Sequence, residues 1–205
     1  TLTWEGEPID VFRRPPLPHA FLVERVSFLS PAETPEKRLR AAYAALFADG
    51  RPRDLRREAV VACTQETLHQ DPILGMLVAR AEQASENDLP SGRCRIRRYR
   101  AGYMEIEVET AAPALLVVRE QFDPNWKATI SPFPEAASAE KADTDVVRPL
   151  RTDHVLLGIP LRSGRHLVRL EYRPTWLYVG AILSATAWLA TAAIFGCVFF
   201  RKRTR

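Results

Sequence analysis

The alternation of apolar and polar residues changes period along this chain, and each period predicts a different element. The longest apolar run comes last: residues 177–200 read LYVGAILSATAWLATAAIFGCVFF without one charged side chain. At 1.5 Å of rise per residue, about 20 apolar residues cross a bilayer's hydrocarbon core. The run predicts one transmembrane helix over 176–200. Trp176 and Tyr178 stand at its start, where amphipathic rings favour the headgroup level. Arg201, Lys202 and Arg203 open a basic tail, 201–205, which favours a cytoplasmic C-terminus.

Period two governs the stretch before the span. Arg93, Arg95 and Arg97 alternate with Cys94 and Ile96, and Glu105, Glu107 and Glu109 with Met104, Ile106 and Val108. These are two strands with one polar and one apolar face, turning at Arg100-Ala101-Gly102. Their arginines and glutamates are expected to pair across the sheet. Residues 114–122, 126–130, 155–161 and 166–172 predict further strands, with a turn at Asp123-Pro124-Asn125 and a hairpin at Arg162-Ser163-Gly164. Residues 131–144, rich in Pro, Ala, Ser and Glu, read as an exposed loop. Short antiparallel strands so spaced predict a jelly-roll-like β-sandwich over 91–175. With no linker before the span, that module sits on the membrane surface.

Residues 1–90 read as a mixed α/β region, with extended candidates at 9–12, 20–28 and 59–63. Thr34-Pro35-Glu36 supplies a helix N-cap, a first-turn proline and a first-turn acid. Leu39, Ala42, Tyr43, Leu46 and Phe47 then recur at helical spacing as a buried stripe, ended by Asp49-Gly50. A second helix over 72–84 carries Ile73, Met76 and Leu77. The turn-rich SENDLPSG of 85–92 divides this region from the β-rich half. The fold class is α+β, mainly β, with a small mixed N-terminal region and one C-terminal transmembrane helix.

Of 205 residues, about 175 lie outside the span and tail, enough for one sizeable domain or two small ones. The net charge of +4 resides in the tail, because residues 1–200 carry 25 basic and 25 acidic side chains. A balanced domain gives no argument for a nucleic-acid partner. A domain carried outside a membrane requires a signal or an earlier span, so a cleaved start or a longer parent product is expected.

Candidate chemistry is sparse. Cys197 falls within the span as an apolar filler. In an oxidising compartment Cys63 and Cys94 can pair; the alternative is two unpaired buried thiols. No Cys or His has metal-ligand spacing, and neither a glycine-rich phosphate loop nor a nucleophile elbow occurs. No catalytic residue and no cofactor is expected. Asp123 and Trp126 share a loop end, where a ring that stacks and an acid that accepts hydroxyl protons suit a sugar. The alternative is a core tryptophan beside a turn cap. In the span, Gly180, Ser184, Ala187 and Thr191 fall at spacings of four, three and four. Small side chains on one face let another helix, a lipid or a pigment approach closely.

Three segments carry a family resemblance: ALLVVREQFDPNWKATI, GIPLRSGRHLVRLEYRP followed at once by the span, and Leu17-Pro18-His19-Ala20-Phe21-Leu22-Val23 upstream. They resemble the C-terminal end of YfhO-type bacterial membrane proteins, large polytopic proteins similar to GT-C glycosyltransferases. The resemblance implies an extracytoplasmic domain in a bacterial inner membrane with a cytoplasmic C-terminus. It carries over fold and topology, and no catalytic residue, since that family's polytopic catalytic part has no counterpart here. The expected function is a non-catalytic accessory subunit, with the lipid bilayer and other membrane-protein subunits as partners. The alternatives are the C-terminal portion of a cell-envelope glycosyltransferase and a membrane-anchored carbohydrate-binding module.

Overall fold

The structure, a computed structural model, describes residues 2–4, 7–9, 17–30, 34–48, 51–83, 92–133 and 144–203. In chain order come β1 (Leu2–Trp4), β2 (Glu7–Ile9), β3 (Ala20–Val23), β4 (Arg25–Leu29), α1 (Pro35–Leu46), β5 (Phe47–Ala48), β6 (Arg51–Pro52), β7 (Glu58–Ala62), α2 (Gln65–Gln70) and α3 (Pro72–Gln83). The second half adds β8 (Arg93–Arg100), β9 (Tyr103–Thr110), β10 (Ala114–Val118), β11 (Trp126–Pro132), β12 (Asp145–Val147), β13 (Leu150–Thr152), β14 (Leu156–Leu161), β15 (Gly164–Tyr172) and α4 (Thr175–Arg203).

The chain is mainly β. A five-stranded antiparallel sheet has the order β12-β11-β15-β9-β8. A six-stranded mixed sheet has the order β3-β10-β14-β13-β7-β4, with β4 and β7 parallel. Parallel neighbours need a crossover, and α1 with the small β5–β6 hairpin provides it. Thr34 caps α1 as expected, its hydroxyl accepting from the Lys37 N–H, with Pro35 opening the helix. Asp71 likewise accepts from the Ile73 N–H at the start of α3.

One apolar cluster is shared by the two sheets. Leu22, Leu116, Leu157 and Ile159 come from the six-stranded sheet; Met104, Ile106, Trp126, Val168 and Leu170 come from the five-stranded one. A second cluster lies on the other face of the six-stranded sheet, where Phe21, Val23, Leu115 and Val117 meet Leu74 and Leu77 of α3. β10 has both faces covered, which explains why its ALLVV does not alternate. Each fully buried leucine or valine contributes roughly 1.5–3 kcal/mol of transfer free energy, so β3 and β10 anchor both clusters.

The connection from β3 to β4 bends the six-stranded sheet. The two strands form its opposite edges, yet Glu24 alone lies between them. Six flat strands would span about 24 Å at 4.8 Å per gap, whereas the chain from Val23 to Arg25 reaches at most about 7 Å. The sheet therefore curls until its edges meet at Glu24.

Several expectations are corrected. Residues 20–28 are two strands broken at Glu24, because one continuous strand could not reach both edges. The division at residue 90 cuts across the six-stranded sheet, since β3, β4 and β7 from the first half join β10, β13 and β14 from the second. Arg162-Ser163-Gly164 is not a hairpin: β14 pairs with β10 and β13, while β15 pairs with β9 and β11, so this corner carries the chain between sheets. The expected buried stripe of α1 is buried at Ala42, half-buried at Leu46 and Phe47, and exposed at Leu39 (58%) and Tyr43 (60%). In α3 the buried pair is Leu74 and Leu77, with Met76 exposed. Asp49-Gly50, most of 9–12 and most of 131–144 lie outside the described residues.

Candidate functional site

The junction between β15 and α4 is built from three turns. The Tyr172 N–H donates to the Gly102 carbonyl at 2.8 Å, and the Arg173 N–H to the Asn125 carbonyl at 3.0 Å. Gly102 has φ +72°, a left-handed conformation that glycine adopts without cost, and it closes the β8–β9 hairpin. Asp123 Oδ1 accepts from the Asn125 backbone N–H at 2.8 Å and from its side-chain amide at 2.7 Å. Arg173 and Pro174 alone then separate β15 from α4.

From Thr175 to Ile194, α4 is long and apolar enough to cross a membrane, and none of that stretch is buried. Trp176 and Tyr178 are exposed at its start, and Trp188 and Leu189 farther along. Gly180, Ser184, Ala187 and Thr191 all stand exposed, within about 60° around the axis at 100° per residue. A Cβ placed on Gly180 meets nothing within 4 Å. The Thr191 hydroxyl donates to the Ala187 carbonyl at 2.8 Å, which satisfies its donor within the helix. Arg201, Lys202 and Arg203 continue the helix; their side chains lie outside the description.

The sugar platform is not formed. Trp126 is 8% exposed, and its ring packs in the shared core 5.3 Å from Tyr172. The Asp123 carboxylate caps its own turn. Cys63 and Cys94 are both free thiols and sit in different clusters, Cys63 buried and Cys94 half-buried. Burial raises the Cys63 thiol's pKa, with Asp71 adding to it, and pushes Cys94 up to about 11. The Cys94 thiol donates to the Ala20 carbonyl.

The expected charge pairing is present on the outer face of the five-stranded sheet. Glu107 lies between Arg165 at 2.7 Å and Arg97 at 3.2 Å, and Glu105 between Arg169 at 3.4 Å and Arg98 at 3.8 Å. The Arg165 hydrogen bond, then Arg97, hold Glu107 below the usual carboxylate range. A bulge at Arg97 shifts the register there, which lets consecutive arginines reach different glutamates.

Asp153 and His154, which as neighbours on a strand would point to opposite faces, are not on a strand. They form a turn at φ +47° and +70°, which Asp and His tolerate better than most residues. Asp153 is 4% exposed. Its Oδ1 accepts from the Val60 N–H at 2.8 Å, while Oδ2 is buried without a partner. Burial pushes this carboxyl up to about 6 against the lowering Val60 bond, with nearby Glu58 adding a small rise. A cavity of about 510 Å³ lies between the α2–α3 corner and residues of β11, β12 and β14, touching Asp71, Ile130, Pro160 and His166. Two of its polar groups serve structure: Asp71 caps α3, and His166 Nε2 lies 3.0 Å from the Arg162 carbonyl. No group of three metal-ligating side chains occurs among the described residues. Comparison with protein-family models, with curated proteins and with solved structures finds no match to this chain.

Proposed function

We propose that this chain is a non-catalytic, single-span membrane protein, an accessory or structural subunit of a larger membrane assembly such as a photosynthetic or respiratory complex. Its two sheets form a sandwich-like module on the extracytoplasmic face of a bacterial inner membrane, with the tail in the cytoplasm. The Gly180, Ser184, Ala187 and Thr191 face of α4 packs against a neighbouring membrane helix. One observation carries this reading. Residues 175–194 are apolar and exposed throughout, and leaving such a helix in water would cost on the order of tens of kcal/mol. Lipid covers most of that surface, and close packing between small residues supplies a partner-specific contact that apolarity alone cannot.

A second reading is the C-terminal portion of a YfhO-like glycosyltransferase. It is favoured by one register: the two segments that carry the resemblance pair side by side, Trp126 with Tyr172 and Lys127 with Glu171. Membrane floatation, alkaline carbonate extraction and native-gel migration separate the outcomes. A carbonate-resistant chain of native size migrating with a much larger complex supports the subunit. Release by carbonate overturns the span, and a polytopic parent band selects the second reading.

A further inference from the structure

We infer that the end of the β domain beside α4 is a docking surface for anionic phospholipid headgroups, read mainly by Arg100 and Arg119. The inference rests on the reading of α4 as a span and goes on to say which face of the domain meets the bilayer and which lipids it selects.

The placement follows from connectivity. Two residues separate Tyr172 from Thr175, a reach of at most about 7–10 Å. The headgroup layer outside the hydrocarbon is itself roughly 5–8 Å thick on each side. Whatever the tilt of α4, the Tyr172 end of β15 is held at headgroup level. Hydrogen bonds hold the Arg100-Ala101-Gly102 tip and the Asp123-Pro124-Asn125 turn to that end. Tyr99, next to the tip, donates to Glu120 at 2.9 Å, which brings Arg119 to the same end. The corner at Arg162 and Ser163 lies at the opposite end of β15.

The charge at this end is one-sided in availability. Glu120 is engaged by Tyr99 and His19, Asp123 is consumed by its turn, and Glu171 is paired with Arg173. Arg100 and Arg119 are exposed. Arg119 donates to the Leu17 carbonyl, a neutral acceptor, and neither guanidinium has a carboxylate partner among the described residues. A guanidinium presents a planar fork that matches phosphate oxygens. An exposed Trp176 in the first turn of α4 adds a ring suited to the same layer.

The test is backbone hydrogen exchange on the full chain in nanodiscs of phosphatidylcholine, with and without phosphatidylglycerol. Anionic lipid is expected to slow exchange at 99–102 and 119–125 and to leave 162–164 unchanged, and 0.5 M salt to reverse the effect. Near an anionic surface each arginine shifts the docked ratio roughly fivefold, so Arg100→Gln with Arg119→Gln should abolish the lipid dependence. Arg100→Lys with Arg119→Lys, which keeps the charge, should retain most of it. Equal exchange in both lipids, protection only at 162–164, or lipid dependence that survives the double glutamine variant overturns the proposal. Protection by inorganic phosphate in pure phosphatidylcholine discs also overturns it, as a free-ion site. Exchange is read only on chain that floats with lipid, so a failed span shows itself separately as chain left unfloated.

Discussion

The carboxylate of Glu24 lies 2.7 Å from the guanidinium of Arg80, and this pair fastens α3 to the one residue that joins both edges of the six-stranded sheet. Glu24 is 8% exposed, whereas nearly half of the Arg80 side chain is exposed. Removing Arg80 leaves a carboxylate out of water with less compensation. Arg80→Ala should therefore cost about 1–3 kcal/mol, and denaturant unfolding should show a smaller loss for Glu24→Gln. Equal stability of Arg80→Ala and the parent would mean that the corner holds without the pair.

Asp153 gives the domain a pH dependence with a definite sign. Its folded pKa of about 6 stands above the ordinary aspartate value of 3.8. The folded state therefore holds the proton more tightly, and stability falls as pH rises from about 4 to about 6, then levels off. Asp153→Asn should stabilise the protein at pH 7.5 by up to about 3 kcal/mol and change little at pH 4. Asn keeps an acceptor for the Val60 N–H and tolerates the left-handed turn. An equal effect at both pH values would contradict the assignment.

Much of this was legible in the sequence, and the failures share a cause. The period-two strands at 93–109, the cap at Thr34 and the apolar run of α4 depend on local pattern, and the structure carries all three. Partner choice does not depend on local pattern. AFLVERVSF reads as one strand because nothing in it marks Glu24 as a corner between edges. Arg162-Ser163-Gly164 has hairpin composition, yet a tight turn serves equally to cross between sheets. The α1 stripe has core spacing, but Leu39 and Tyr43 face away from both clusters. The role of Trp126 is set by Tyr172 and the shared core around it, partners that its own turn sequence does not specify.

Gly158 tests how tightly β13 and β14 approach. A Cβ there would lie 2.1 Å from Thr152 Oγ1 and 3.3 Å from Leu115 Cδ1. Gly158→Ala should cost about 1–3 kcal/mol by overpacking. Thr152→Ala, which removes the nearest atom, should make the double variant lose less than the two single losses combined. Additive losses in thermal melts would show that the strands move apart instead.

Cys63 and Cys94 should behave as shielded thiols. Cys63 is buried, and burial pushes Cys94 to about 11, so little thiolate exists at pH 8. Alkylation of the folded chain without reductant should be slow at both positions and become rapid at both in denaturant. A mass two hydrogens short that persists until reduction would reveal a Cys63–Cys94 bond.

On the proposed function, α4 is a docking element as well as an anchor. In that role its small-residue face would let another backbone come close, and a larger side chain would hold that backbone away along a full turn. Gly180→Leu combined with Ala187→Leu leaves the span as apolar as before, so insertion and the β-domain fold should persist. The decisive measurement is co-purification of this double variant with its membrane assembly after mild detergent extraction. A loss of about tenfold, equivalent to ~1.4 kcal/mol, is expected from a chain that still floats with membranes. Co-purification equal to the parent would contradict it and assign the binding contacts to the β domain.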